Sequence, residues 1–507
     1  MATGTSGAAL RSVHPGTAGI RSPRPPASRR GSEQTTREGR PVSGASEESP
    51  ASPGPSGSGT GGATPPDSPH GAPAASAADP SDPRWRLPQV RGHLAGLDGI
   101  RALAALLVLV FHVGIETGDA LAPGLSGALL AGGEMAVPLF FALSGLLLFR
   151  PWARAALDGT AAPPAGSYLR RRALRVLPAY WIVALAALLL WSRDHLDSVS
   201  AWVEIMTLTF VFETDPWWVG TGPAGLGQMW SLSVEAAFYA ALPVLGLLAV
   251  RTAGRTRAAD TRTRARRILV FLAVLTALSV LALVPQHYPE PRPYMFSWLP
   301  RCLGLFAVGM TLTVLSEWAW REPGADGPVR RLCRTLSNNA TLCWAVAGGF
   351  YLVSATPAAG DRFVGAAELW LSLVNTAVSM AFAFFVVAPV ALRPERPGAP
   401  PPARAGGGAW LEALLAHPVM RYLGRISYGI FLWQFVVLYL WRDFTGAQMF
   451  TGSFWMDLTA VALGTVLLAD LTHRFVERPL AQRYSSSGSL RRRPRTRPRA
   501  DRRTPIN

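Results

Sequence analysis

The chain has 507 residues, of which 49% are hydrophobic and only 16% charged, and its mean hydropathy is positive at +0.21, which excludes an ordinary soluble globular protein. The net charge of +17 is carried entirely by arginine, because there is no lysine. These arginines gather at the ends of apolar segments, so orientation in a membrane explains them and no nucleic-acid partner is expected. The abundance of Ala, Gly and Pro suggests a bacterial host with a GC-rich genome. Cys302, Cys333 and Cys343 show neither CxxC nor metal-ligand spacing, so they read as packing residues and no metal is expected.

Residues 1–85 are Gly, Ser, Pro, Ala and Arg in irregular order, with stretches such as "SPGPSGSGTGGATPPDSP" that cannot bury a core. They read as a disordered arm, and not as a signal peptide, because no apolar stretch follows the first arginines. From residue 90 to 484, apolar windows of the length needed to cross about 30 Å of hydrocarbon recur. The all-α fold expected is a polytopic bundle of ten spans: 98–116, 133–150, 175–192, 229–250, 268–285, 297–316, 340–355, 366–391, 423–441 and 454–474. The window "AWVEIMTLTFVFE" at 201–213 is short and carries Glu204, so it is expected to be interfacial or re-entrant. Residues 485–507 are polar and basic, a second disordered segment suited to anionic lipid heads.

The charge bias supports ten spans. The four connections 150–175, 251–267, 317–339 and 392–425 hold 22 arginines, whereas the intervening ones hold only Arg193, Arg292, Arg362 and Arg442. Cytoplasmic loops collect arginine, so both termini are expected in the cytoplasm. An eleventh span at 201–213 would put "RTAGRTRAADTRTRARR" outside.

Two ionisable residues interrupt the first span, "GLDGIRALAALLVLVFHVG". Arg101 and His112 are eleven residues apart, about 16 Å along the axis and within about 20° of three full turns, so both project from one face. Intramembrane ionisable groups are costly to insert and point by default to a functional site. The alternative is an arginine snorkelling to the interface and a histidine held by packing. In "GQMWSLSVEAAFYAALP", Glu235 lies about 9 Å inside the fourth span, close to the level of His112, where a carboxylate could orient an imidazole acting as general base. Arg301 in "WLPRCLGLFAVGM" enters at a similar depth and either completes a charge cluster or snorkels. Ser144 and Gly145 in "ALSGL" lack the elbow of a serine nucleophile and read as helix-packing residues. Arg171 or Arg172 with Arg175, one turn apart in "YLRRRALRVLPAYW", form a cluster that can hold phosphates.

These segments resemble the membrane-bound acyltransferase family 3. Arg101 and His112 meet its R-x10-H signature, and "VPLFFALSGLLL", "RRALRVLPAYW", "MWSLSVEAAFY", "RCLGLFAVGM", "ISYGIFLWQ" and "FVERP" follow in order. The resemblance implies a membrane O-acyltransferase that moves an acyl group, usually acetyl, from cytoplasmic acyl-CoA to a hydroxyl of a carbohydrate or lipid-linked sugar. Acyl-CoA is then a co-substrate, and no bound cofactor is implied. His112 would be the base, Glu235 its acidic partner, and Arg101, Arg172, Arg175, Arg301, Trp230 and Ser231 the substrate-binding residues. Where relatives often read "SYGIYLWH", this chain has Phe431 and Gln434, so the role of that second histidine does not carry over. No SGNH-type esterase domain follows the last span, which points to the stand-alone members. A transporter or flippase using the Arg/His/Glu cluster as a path is the competing reading, but no internal repeat supports it. A scaffold acting through its basic tails would leave the three intramembrane residues unexplained.

Overall fold

The computed structural model describes residues 95–254, 260–322, 327–360, 368–393 and 408–482; the arm 1–85 and the tail 485–507 lie outside the described residues. Among the described residues the secondary structure is helical, with no strand. Ten helices build a bundle: α1 (Ala95–Glu116), α2 (Ala136–Asp158), α3 (Ala165–Trp191), α4 (Met229–Ala253), α5 (Thr261–Leu281), α6 (Leu299–Arg321), α7 (Ala340–Ser354), α8 (Leu369–Ala391), α9 (Pro418–Thr445) and α10 (Phe454–Thr472). The chain is thus a polytopic all-α membrane protein.

Nine of these segments are long and apolar enough to cross a bilayer, and α7, with 15 residues, is shorter. At 1.5 Å per residue α7 covers about 23 Å. Its first residue, Ala340, packs at Gly408, while Tyr351 near its other end donates a hydrogen bond to Leu129 O at 2.6 Å. Gly408 leads into the short helix Ala409–Leu415, which touches Gly99 at the start of α1, and Leu129 precedes Gly133, which touches Phe111 near its end. The segment therefore runs between the two ends of the bundle, beside α8, to which Trp344 donates at Val386 O (3.2 Å). Region 201–213 does not cross: it forms a helix of eight residues, Val199–Met206, and a turn at Phe210–Phe212, separated by Leu208 in the left-handed conformation (φ 61°).

Alternation of the ten segments gathers the arginine-rich connections at one end, called here the basic end, and leaves His112 nearer the other. Helix boundaries follow local chemistry. Asp260 accepts from Thr263 N (2.9 Å) to cap α5, Pro418 opens α9 in the first helical turn, and Gly446 ends α9 with φ 68°.

The core is tightest where α2 crosses α6. A Cβ on Gly145 would lie 2.1 Å from Phe306 O, and one on Gly309 would lie 1.8 Å from Ala142 O, so only glycine permits this approach. Thr313 donates to Leu146 O at 2.6 Å across the same contact, and Phe306 stacks on both Phe141 and Phe238. The packing expected of Gly145 is what the backbone requires. At the basic end the same two helices share ions: Glu317, with its side chain 4% exposed, accepts from Arg154 and Arg321 at 2.7 Å each, and Arg321 also reaches Asp158.

Candidate active site

Leu97, Asp98 and Gly99 explain how the first helix is seated. Gly99 lies against the backbone of Leu415, and Gly424 of α9 lies against Asp98 O, where a Cβ in either position would overlap backbone atoms. Asp98 reaches one turn forward to Arg101 at 3.7 Å. Helix α1 is thereby pinned to α9, with Arg101 turned toward a cavity.

That cavity, about 120 Å³, is built from α1, α2, α3, α4, α9 and the turn after α10. Arg101, Arg172, Arg175, Ser231 and Glu235 all line it, so five of the eight residues expected from sequence come together. Its wall also includes Ser144, Tyr239, Arg425, Tyr428 and Glu477. Arg172 Nε is buried without a hydrogen-bond partner among the described residues, which leaves a cationic donor to be satisfied by an anion. Glu235 is placed by Ser144, whose hydroxyl donates to Oε1 of the carboxylate. Ser144 is therefore part of the cavity's polar wall as well as a small residue in a packed helix.

The end of α10 carries a π-type turn, His473–Glu477, a geometry found often at functional sites. It sends Glu477 into this cavity and His473 into a neighbouring one of about 430 Å³, and the two side chains meet at 3.2 Å. The neighbouring cavity is lined by Arg425, Arg474, Arg478, His473, Tyr422 and Asp470, and Arg425 is common to both.

His112 lies elsewhere. It is half-buried between Phe111 and Phe435, and its Nδ1 is 3.1 Å from Gln434 Oε1 on α9. The expected pairing of Glu235 with His112 is corrected here: the carboxylate engages Ser144 and the imidazole engages Gln434. The level of Glu235 along its helix follows from the helical rise, but its direction follows from neighbour choice, and α4 presents it to α2. Phe140 and Phe431, rings 6.3 Å apart, form the cavity wall one turn of α9 short of Gln434. Beyond His112, buried Arg442 pairs with Glu116 at 3.6 Å and donates to Glu116 O at 3.2 Å, which ties the last turn of α1 to α9.

Trp230 and Arg301 are outside the cavity lining. Trp230 packs its ring against Phe296 at 4.9 Å, and Arg301 Nε is buried with no hydrogen-bond partner among the described residues. Tyr239, one turn after Glu235, was discoverable from its i+4 spacing. Arg425, Tyr428 and Glu477 stand in "RISYGIF" and "FVERP", where charge at a helix end hid them among topological signals. Among the described residues no three His, Cys, Asp or Glu side chains group as a metal-ligand set.

A family model described as an acyltransferase domain, acyltransferase 3, matches residues 94–474. The chain belongs to this family of acyltransferases. Similar proteins include one of Staphylococcus aureus (strain COL) named "Putative O-acetyltransferase", 22% identical over 416 residues, covering 76% of this chain and 57% of that one. A "Putative peptidoglycan O-acetyltransferase" of Bacillus subtilis (strain 168) is 23% identical over 419 residues, covering 79% and 56%. A peptidoglycan O-acetyltransferase of Listeria monocytogenes is 21% identical over 403 residues, covering 77% and 56%. The chain thus spans a little over half the length of these relatives. No solved structure matches. Membership of the acyltransferase 3 family favours an acyltransferase over a transporter or flippase.

Proposed function

We propose that the chain is a bacterial cell-membrane O-acetyltransferase that takes acetyl from acyl-CoA at the basic end and delivers it to a hydroxyl of a cell-envelope glycan. The names of the relatives favour a peptidoglycan-type acceptor over the other carbohydrates and lipid-linked sugars. The observation that carries this reading is the convergence of Arg101, Arg172, Arg175 and Arg425 on one cavity of about 120 Å³. A cavity of this volume has room for a short acyl group such as acetyl. The adjoining arginine-lined cavity suits the CoA phosphates, which guanidinium groups bind in bidentate fashion.

In this mechanism His112 removes the proton from the acceptor hydroxyl as its oxygen attacks the thioester carbonyl. The new C–O bond forms, the C–S bond breaks, and the departing thiolate receives the hydroxyl's proton from the imidazolium. Proton transfer of this kind contributes about 10²- to 10⁴-fold in rate. His112 lies outside the cavity lining, so the acetyl group has to travel from the cavity to the imidazole to react. The basic end is then cytoplasmic, in accord with the arginine bias.

Membranes carrying the chain, incubated with labelled acetyl-CoA and peptidoglycan fragments, are expected to form acetylated glycan, and His112→Ala is expected to reduce the rate at least about 100-fold. Undiminished transfer by His112→Ala would overturn the assignment of the base. Transport without acylation would return the competing reading.

A further inference from the structure

We propose that Gln434 is a positioning residue that holds His112 in one tautomer, with the proton on Nδ1 and the lone pair on Nε2. The inference rests on the reading of His112 as the base and adds how that base is prepared. Gln434 is 1% exposed, so both ends of its amide need partners within the protein. Its Nε2 donates to Phe431 O at 3.1 Å. A backbone carbonyl accepts only, so turning the amide around would set two oxygens against each other, and the orientation is fixed.

The same carbonyl also accepts from Gln228 Nε2 at 3.3 Å, and Gln228, itself 3% exposed, donates to Leu432 O at 3.0 Å. This second amide anchors the segment of α9 that orients the first. What remains facing the imidazole is Gln434 Oε1, an acceptor, at 3.1 Å from His112 Nδ1. Nδ1 must therefore donate. A neutral imidazole has one N–H, so Nε2 carries the lone pair and is the atom free to take a proton. An unfixed imidazole would spend part of its time with Nε2 protonated and unable to act.

During transfer Nε2 accepts the hydroxyl proton while Nδ1–H stays bonded to Oε1. The imidazolium keeps both protons until Nε2 passes one to the thiolate, so Gln434 loses no hydrogen bond at any stage. Phe111 and Phe435 flank the ring and limit its rotation.

The test uses the full chain in lipid nanodiscs with ¹⁵N-labelled histidine. Of the eight histidines, His112 is assigned by its disappearance in His112→Ala. At neutral pH, without substrate, the wild type is expected to show a protonated Nδ1 and an unprotonated Nε2, and the opposite assignment would overturn the proposal. Gln434→Leu is expected to mix the tautomers and lower kcat about 10- to 100-fold, part of the general-base contribution, with KM for acetyl-CoA within about twofold. Gln434→Glu keeps an acceptor against Nδ1, and is expected to keep the tautomer and at least about a tenth of the wild-type kcat. Unchanged kcat and tautomer in Gln434→Leu would overturn the positioning role while leaving the role of His112 standing. Full activity in His112→Ala would instead remove the reading on which it rests.

Discussion

His112 and Arg172 separate two tasks that one charged cluster could have shared. The guanidinium of Arg172 sits in a cavity wall with a buried Nε that has no hydrogen-bond partner among the described residues, whereas the imidazole is held outside that cavity by Gln434, between Phe111 and Phe435. If the arginine serves donor binding alone, Arg172→Ala should raise KM for acetyl-CoA about tenfold or more and leave kcat nearly unchanged, since a charge-assisted hydrogen bond lost equally from ground and transition states affects binding only. Saturation kinetics would check this, and a fall in kcat at unchanged KM would place Arg172 in the chemical step. The interval between Arg101 and His112 was legible as one helical face, because the 3.6-residue period fixes angle as well as rise. The partner of His112 was not. Period and rise give the depth of Glu235 but not which helix it will face, and that is set by how the helices pack, α4 presenting it to Ser144 of α2.

Helices α2 and α6 form the pair on which the cavity depends, because Ser144 and the stacked ring of Phe141 stand on α2 beside the Gly145 and Gly309 contacts. Their basic ends are joined through Glu317, a buried carboxylate held by two arginines. Removing the acid would take one carboxylate from Arg154 and one of two from Arg321, which keeps Asp158, so Glu317→Ala should cost about 1–3 kcal/mol. Thermal unfolding in detergent would show it as a clear fall in Tm, and a wild-type Tm would mean that solvent replaces the carboxylate. Apolar windows made most helices legible, and "RTAGRTRAADTRTRARR" marked a turn between two of them. The crossing α7 is a 15-residue helix, and the preceding Pro328–Asn338 helix carries polar residues that the apolar window did not include. Glu317 was hidden because a lone acid near a helix end reads like any other interfacial charge, and its burial depends on arginines more than 150 positions away or one turn on.

Among the described residues, the ten alternating segments bring the arginine-rich helix ends to the side where both cavities are lined by arginine. The bias that sets membrane orientation and the charge that would hold phosphates are then on the same side, which is why sequence could not separate them. The buried Cys333 thiol, in the short helix at that end, is pushed up to about 12 by burial and to a lesser degree by Glu322, consistent with a packing role. The central claim is that donor enters at the basic end and that His112 acts on an acceptor toward the other. Sealed vesicles of each orientation, given labelled acetyl-CoA outside and glycan acceptor on either face, test it most directly. Transfer is expected only when acetyl-CoA meets the face bearing Arg172 and Arg175, and is expected to vanish in His112→Ala; equal transfer from the opposite face, or transfer that survives that substitution, would contradict it.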